Sequence, residues 1–148
     1  MTATTAYRLR PPATDDERHT YHAIRRSELF ARRRREAVYD ENHPDERAPG
    51  NHPLVLEWNG EIIGTIRVDV EATLAIFRLV AIRSDVQRGG HGRAMLALAE
   101  QFARARGCTM VRSFVAPDAV GFYERQGFSH DDSVVGDGYH PPMKKQLA

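Results

Sequence analysis

The chain has 148 residues, 41% hydrophobic and 28% charged, with a formal net charge of +1. That is enough for one domain with a real core and too little for two. It excludes a disordered composition, a membrane span and a global electrostatic pull toward nucleic acid. The start of the chain lacks an apolar signal core, and the lone cysteine, Cys108, excludes an internal disulfide framework. The expectation is a cytoplasmic protein with a single domain over residues 1–148.

In chain order, Tyr7 to Arg10 reads as a short strand closed by Pro11 and Pro12. Thr14-Asp15-Asp16-Glu17 matches a capping box, which predicts a helix running through Tyr21 and Ile24. The apolar spacing slips between Ile24 and Leu29, predicting a break and a second helix near residues 29–39. Arg25, Arg26 and Arg32 to Arg35 crowd this segment. A solvated helix surface balanced by Glu28, Glu36, Asp40 and Glu41 is the favoured reading, over a grip on nucleic acid or an acidic substrate. Residues 40–52, with Pro44, Pro49 and Gly50, read as a loop long enough to line a site.

Leu54 to Trp58, Glu61 to Val70 and Thr73 to Ile82 are strand-like. Asn59-Gly60 and Glu71-Ala72 supply tight turns between them, so a three-stranded antiparallel meander is predicted. Arg78 is the charge inside the third strand. Burying it unpaired would be costly, so it needs a carboxylate partner, a solvated edge or an anionic ligand. In the last case it contacts the substrate, which then carries an acidic group.

Val80 to Arg93 ends this strand and opens a helix through a glycine-rich loop. Gly89, Gly90 and Gly92 let the backbone approach a ligand closely. The free N–H groups of the helix start and the positive end of its dipole suit a phosphate, and Arg88 and Arg93 add charge. The dinucleotide spacing fails at Met95, and the Gly-Lys-Ser/Thr of a P-loop does not occur. Taken alone, a phosphate cradle and a turn that merely packs a helix on a sheet stay evenly matched.

Met95, Leu98, Ala99, Phe102 and Ala103 recur at helical spacing before a stop at Gly107. Met110 to Val115 reads as a short central strand, and Pro117 begins a helix over Asp118 to Gln126 that ends at Gly127. Phe128 to Val135, a Gly136-Asp137-Gly138 turn and Tyr139 to Leu147 predict a final hairpin, weakened by Pro141 and Pro142. The order β-α-α-β-β-β-α-β-α-β-β is an α+β fold, with a mixed, mostly antiparallel central sheet and helices on both faces. No His or Cys stands at convincing ligand spacing, so no metal is expected.

Gln87-x-x-Gly90-x-Gly92, followed by Phe122-Tyr123-Glu124-x-x-Gly127-Phe128, resembles the paired signatures of the GNAT superfamily of acyl-CoA-dependent N-acetyltransferases. Pro142-Met143-Lys144-Lys145 also looks like that family's last strand, and the element order agrees over nearly the whole chain. The resemblance implies acetyl-CoA as co-substrate. Gln87 and the backbone from Arg88 through Gly89, Gly90, His91 and Gly92 to Arg93 would hold its pyrophosphate. Val80, Ala81 and Ile82 would pair with the pantetheine arm, whose amides need hydrogen-bond partners. The His91 side chain is read as packing or solvent-facing.

Tyr123 corresponds to the family's general acid, donating toward the departing thiolate, although an aromatic that only packs the short helix is the plain alternative. Ordinary values make full transfer from a phenol to a thiolate uphill by about 2 kcal/mol, so donation accompanies charge build-up. Ala116 and Ile76 stand where relatives carry an asparagine and a glutamate base. The base is therefore unassigned, with Asp69, Glu71, Glu57 or a water chain as candidates. A covalent acyl-Cys108 step is not expected, since Cys108 begins a buried strand. The implied reaction is direct acetyl transfer to a primary amine of a small molecule or peptide. The alternative is a non-catalytic module that senses the coenzyme or uses the arginine run on nucleic acid. No membrane partner is expected, nucleic acid is disfavoured, and a homodimer is left open.

Overall fold

The computed structural model describes residues 6–30 and 39–148. Seven strands form one sheet in the order β1-β2-β3-β4-β5-β7-β6. They are β1 (Tyr7–Arg10), β2 (Asn51–Trp58), β3 (Glu61–Glu71), β4 (Leu74–Ile82), β5 (Met110–Phe114), β6 (Ser129–His130) and β7 (Pro142–Gln146). Neighbours run antiparallel except β4 and β5, which are parallel. The helices are α1 (Asp15–Arg25), α2 (His91–Ala105) and α3 (Val120–Arg125). This is the mixed, mostly antiparallel sheet the sequence predicts.

The predicted meander forms because its turns carry the right residues. Asn59 and Gly60 both take positive φ, 52° and 85°, which matches the twist of the β2–β3 hairpin. Ile63, Gly64, Thr65, Ile66, Arg67 and Val68 are all buried although successive side chains alternate faces. β3 is therefore covered on both sides, and both α1 and α2 pack against it. Met95 and Leu96 of α2 are shut away from water, each worth about 1.5–3 kcal/mol of burial.

Three expectations change. The first is the break after Ile24: α1 runs on into a wider π-helical turn over Arg26–Phe30, and residues 31–38, most of the predicted second helix with Arg32 to Arg35, lie outside the described residues. The second is the loop over residues 40–52, which is shorter than expected. Pro44–Arg47 forms a 3-10 turn, and β2 starts at Asn51 because Gly50 (φ 85°) brings the chain against β3. Its carbonyl accepts from the Val70 N–H at 2.8 Å, and a Cβ at Gly50 would sit 2.7 Å from the Val70 carbonyl oxygen.

The third concerns the last hairpin. The strand predicted over Phe128 to Val135 is only Ser129–His130; Asp131 still donates its N–H to the Pro142 carbonyl at 2.9 Å, and its side chain turns in as a fully buried carboxylate. It accepts from Arg112 Nε at 2.8 Å and from the Ser133 N–H at 2.9 Å, so the chain crosses to β7 as a loop. Burial pushes the Asp131 carboxyl up, but Ser133 and Arg112 outweigh it and hold it at about 2, below its ordinary 3.8. A carboxyl depressed in the folded state stabilises fully above 3.8, and that contribution fades as pH falls through about 2. Asp131→Asn is expected to destabilise by about 3 kcal/mol at neutral pH. Denaturant titrations should show the gap to the parent closing over that acidic window.

The feature that makes the site is an irregularity in β4. Thr65 pairs with Ala81 and Arg67 with Arg78, so Leu79 and Val80 oppose Ile66 alone, a β-bulge. Leu79 takes φ 55°, an unfavourable left-handed conformation for a branched side chain, and its carbonyl accepts from the Thr65 hydroxyl at 3.4 Å. The β4–β5 register ends at Phe77 and Ser113. Beyond it β4 stays with β3, while Phe114 and Val115 follow the β7 side, so the two strands splay apart.

Candidate active site

A cleft of about 940 Å³ opens at this splay. One wall is Leu79, Val80, Ala81 and Ile82, the other Ser113, Phe114, Val115 and Ala116. These strand edges have lost their neighbour, so their backbone groups are available to an extended ligand carrying amides. At one end stands the loop that opens α2. Gly90 is the N-cap, with φ 81° and no side-chain cap bond. The first N–H groups of the helix, at His91, Gly92 and Arg93, have no intrahelical acceptor. With the helix dipole, Arg88, Arg93 and Arg125 beside them make that end suited to an anion such as a pyrophosphate.

Each glycine of the loop has its own reason. Gly92 faces Phe122, where a Cβ would come within 3.2 Å of the ring, so α2 can start close against α3. Gly89 stands outside the cleft lining, and a Cβ there would sit 2.7 Å from the buried His91 ring. Gln87 lines the cleft and donates its side-chain amide to the Ile82 carbonyl at 2.9 Å, tying the loop to the strand end. The His91 ring is buried, meets the Tyr7 hydroxyl at 2.7 Å through Nδ1 and packs on Trp58 at 4.4 Å. Its side chain is therefore a core element, in agreement with its reading as a packing residue.

Tyr123 lies deeper in the cleft, on α3, and is 5% exposed. Phe122 and Phe128 hold its ring edge-on at 5.6 and 5.2 Å. Burial pushes the phenol up to about 12, with the Ser113 hydroxyl pulling slightly the other way, so it stays protonated at neutral pH.

A second cavity, of about 570 Å³, joins the cleft, sharing Phe30, Phe77, Leu79, Phe114 and His140 with it. His140 sits at the junction, its Nδ1 donating to Asp137 Oδ2 at 2.8 Å. In the neutral ring, a proton held on Nδ1 by this carboxylate leaves Nε2 as the acceptor. The His140 contact and the N–H groups of Tyr139 and His140 hold the Asp137 carboxyl at about 2, so it is ionised. Arg25, Arg67, Arg78 and Glu46 also line this cavity.

The splay thus gathers Val80, Ala81, Ile82, Gln87, Arg88, Gly90, His91, Gly92, Arg93 and Tyr123 around one cleft and leaves Gly89 outside it. Arg78 belongs to the adjoining cavity and meets two of the three alternatives left open for it: Asp69 is its carboxylate partner at 3.0 Å, and its side chain is 41% exposed. The carboxylates considered as bases are engaged or distant. Asp69 is shared between Arg67 and Arg78, and Glu57 is paired with Arg10 beside β1. Glu71 is exposed and lines neither cavity. Cys108 is buried, which pushes its thiol up and keeps it unreactive.

Arg25, read with its neighbours as part of a solvated face, is instead 1% exposed and paired with Glu46 at 2.7 Å. His140 and Arg125 were missed. Arg125 adjoins the Phe-Tyr-Glu signature, so its place was readable, whereas His140 carried no motif. Among the described residues, no cluster of His, Cys, Asp and Glu could hold a metal ion.

Residues 15–128 match the family model for the acetyltransferase (GNAT) family. A Lactobacillus plantarum protein classed as an N-acetyltransferase superposes with a TM-score of 0.76 at 25% identity, over 97% of this chain and 99% of that one. The PaiA N-acetyltransferase of Thermoplasma acidophilum, solved in complex with coenzyme A, gives 0.73 at 16% identity over 96% and 99%. The ribosomal-protein-S18-alanine N-acetyltransferase of Escherichia coli gives 0.72 at 17% identity over 96% and 94%.

Proposed function

The chain belongs to the acetyltransferase (GNAT) family, and from that premise we propose that it transfers an acetyl group from acetyl-CoA to a primary amine, by direct attack with both substrates bound. The observation that carries this reading is the continuity of the cleft. It runs from the uncapped start of α2, past the free strand edges of β4 and β5, to Tyr123 and the mouth of the second cavity. That shape fits a ligand with a pyrophosphate at one end and an amide-bearing arm.

When bound, acetyl-CoA supplies an acetyl group activated as a thioester. The N–H groups of His91, Gly92 and Arg93 hold the pyrophosphate, and Val80, Ala81 and Ile82 orient the arm. Tyr123 keeps a proton on its oxygen where negative charge builds on the departing sulfur. His140 Nε2 takes the proton that the amine must shed, while Asp137 fixes the ring and stabilises its charged form. A cytoplasmic setting belongs to the same reading, resting on the lone buried Cys108.

The test is amine-dependent thiol release from acetyl-CoA, with the acetylated amine identified by mass. Release with a primary amine and not with its N-acetylated form is expected. Tight coenzyme binding with no transfer to any amine would favour a sensor instead.

A further inference from the structure

The wall of the second cavity carries a charge cluster that the transfer reaction does not use. Three guanidinium groups, Arg25, Arg67 and Arg78, face two carboxylates, Glu46 and Asp69. Burial pushes the Glu46 carboxyl up, but Arg25, Arg67 and the Tyr21 hydroxyl outweigh it and keep it ionised. These five groups alone hold one more positive charge than negative, and Asp40, Asp45 and Asp137 on the same cavity outweigh that difference.

The donors of the three guanidinium groups are unevenly used. Arg67 engages Asp69 through its side-on fork, Nε to Oδ1 at 2.7 Å and Nη2 to Oδ2 at 3.0 Å. The same fork of Arg25 is empty: Nε and Nη2 are buried without a hydrogen-bond partner, while Nη1 bonds Glu46. One face of that guanidinium lies over the Tyr21 ring at 4.0 Å. Arg78 is the accessible member, its side chain 41% exposed. Among the described residues it bonds through Nε, to Asp69, and its Nη1–Nη2 end is open.

We propose that this cavity receives a carboxylate of the acceptor, so that the acceptor is a small amine that also carries a carboxylate, as a free amino acid does. The inference rests on the transferase reading above and names its substrate class. Arg78 meets the carboxylate through its open end, the planar fork-on-carboxylate geometry that guanidinium groups favour. Asp40, Asp45 and Asp137 are exposed on the lining of the same cavity and favour approach of the positively charged form of the acceptor before its amine reaches Tyr123. Because His140 lines both cavities, a molecule anchored at Arg78 extends its amine toward Tyr123. A volume of about 570 Å³ suits a small molecule.

The test compares matched acceptors: free amino acids, their α-amides, and the amines left after decarboxylation. Acetylation of the carboxylates with kcat/KM at least about 10-fold higher is expected. Arg78→Gln should raise KM for them roughly 10- to 100-fold without changing KM for acetyl-CoA, and Arg78→Lys should recover part of the loss. Aspartate and glutamate α-amides, which keep only the side-chain carboxylate, report which carboxylate docks. Equal use of amides and carboxylates, or an Arg78→Gln effect equal on both, would overturn the proposal while leaving the transferase reading intact. If no amine is acetylated, that reading fails by itself. Thermal shifts with N-acetyl amino acids and their amides, in the presence of coenzyme A, then decide this one: a shift selective for the carboxylate and lost in Arg78→Gln sustains it, and none overturns it.

Discussion

Replacing Tyr123 by phenylalanine is expected to lower turnover by roughly 10²- to 10⁴-fold while leaving the affinity for coenzyme A unchanged. The ring fills its place between Phe122 and Phe128, and phenylalanine keeps that packing while removing only the proton donor. With the phenol at about 12 against a thiol near 8.5, complete transfer in the ground state would be uphill by roughly 5 kcal/mol. In the proposed mechanism the donor therefore acts as charge accumulates on sulfur, where an O–H in a cleft shielded from water is worth most. Tyr123 holds its proton across the neutral range, so its ionisation does not set the alkaline limb of a pH–rate profile below about 10. Turnover unchanged in Tyr123→Phe, by stopped assay or continuous thiol detection, would remove the residue from the mechanism.

The second large effect is expected at His140. His140→Ala should lower kcat/KM for the amine roughly 10²-fold or more, with donor affinity intact. The loss should shrink as pH rises, because the acceptor amine then sheds its proton to solvent before it attacks. Asp137→Asn should fall between the parent and His140→Ala, since it keeps the shape of the contact at 2.8 Å but removes the charge that steadies a protonated ring. A loss that persists at high pH would point to a shape defect of the loop before β7 rather than to a missing base.

Much of the frame was readable because its causes are local. Asn59-Gly60 demands a hairpin, Thr14 with Glu17 caps α1, and the Thr14 hydroxyl accepts from the Glu17 N–H at 3.1 Å as the motif requires. Gly127 closes α3 at φ 93°, and Gly90 opens α2 at φ 81°. The glycine loop and the aromatic helix were each ambiguous alone, and their order along the chain resolved them. The final hairpin was misjudged because strand propensity over Phe128 to Val135 carried no hint that Asp131 would turn inward to Arg112, on a strand distant in sequence.

The site divides along the same line. By itself the sequence determined what depends on neighbours in the chain: the helix start at Gly90 to Arg93, the end of β4, and Tyr123 on its short helix. Only the tertiary structure decided what depends on register and long-range pairing. Leu79 is forced to a positive φ by a bulge against β3, which no glycine announces, and that bulge helps part β4 from β5 to open the cleft. His140 reaches the junction of two cavities through the loop before β7, and Arg25 changes from a surface charge to a buried one once Tyr21 and Glu46 enclose it. Local rules act over a turn or two of chain, whereas the charge balance of a pocket is summed over strands and loops that only folding brings together.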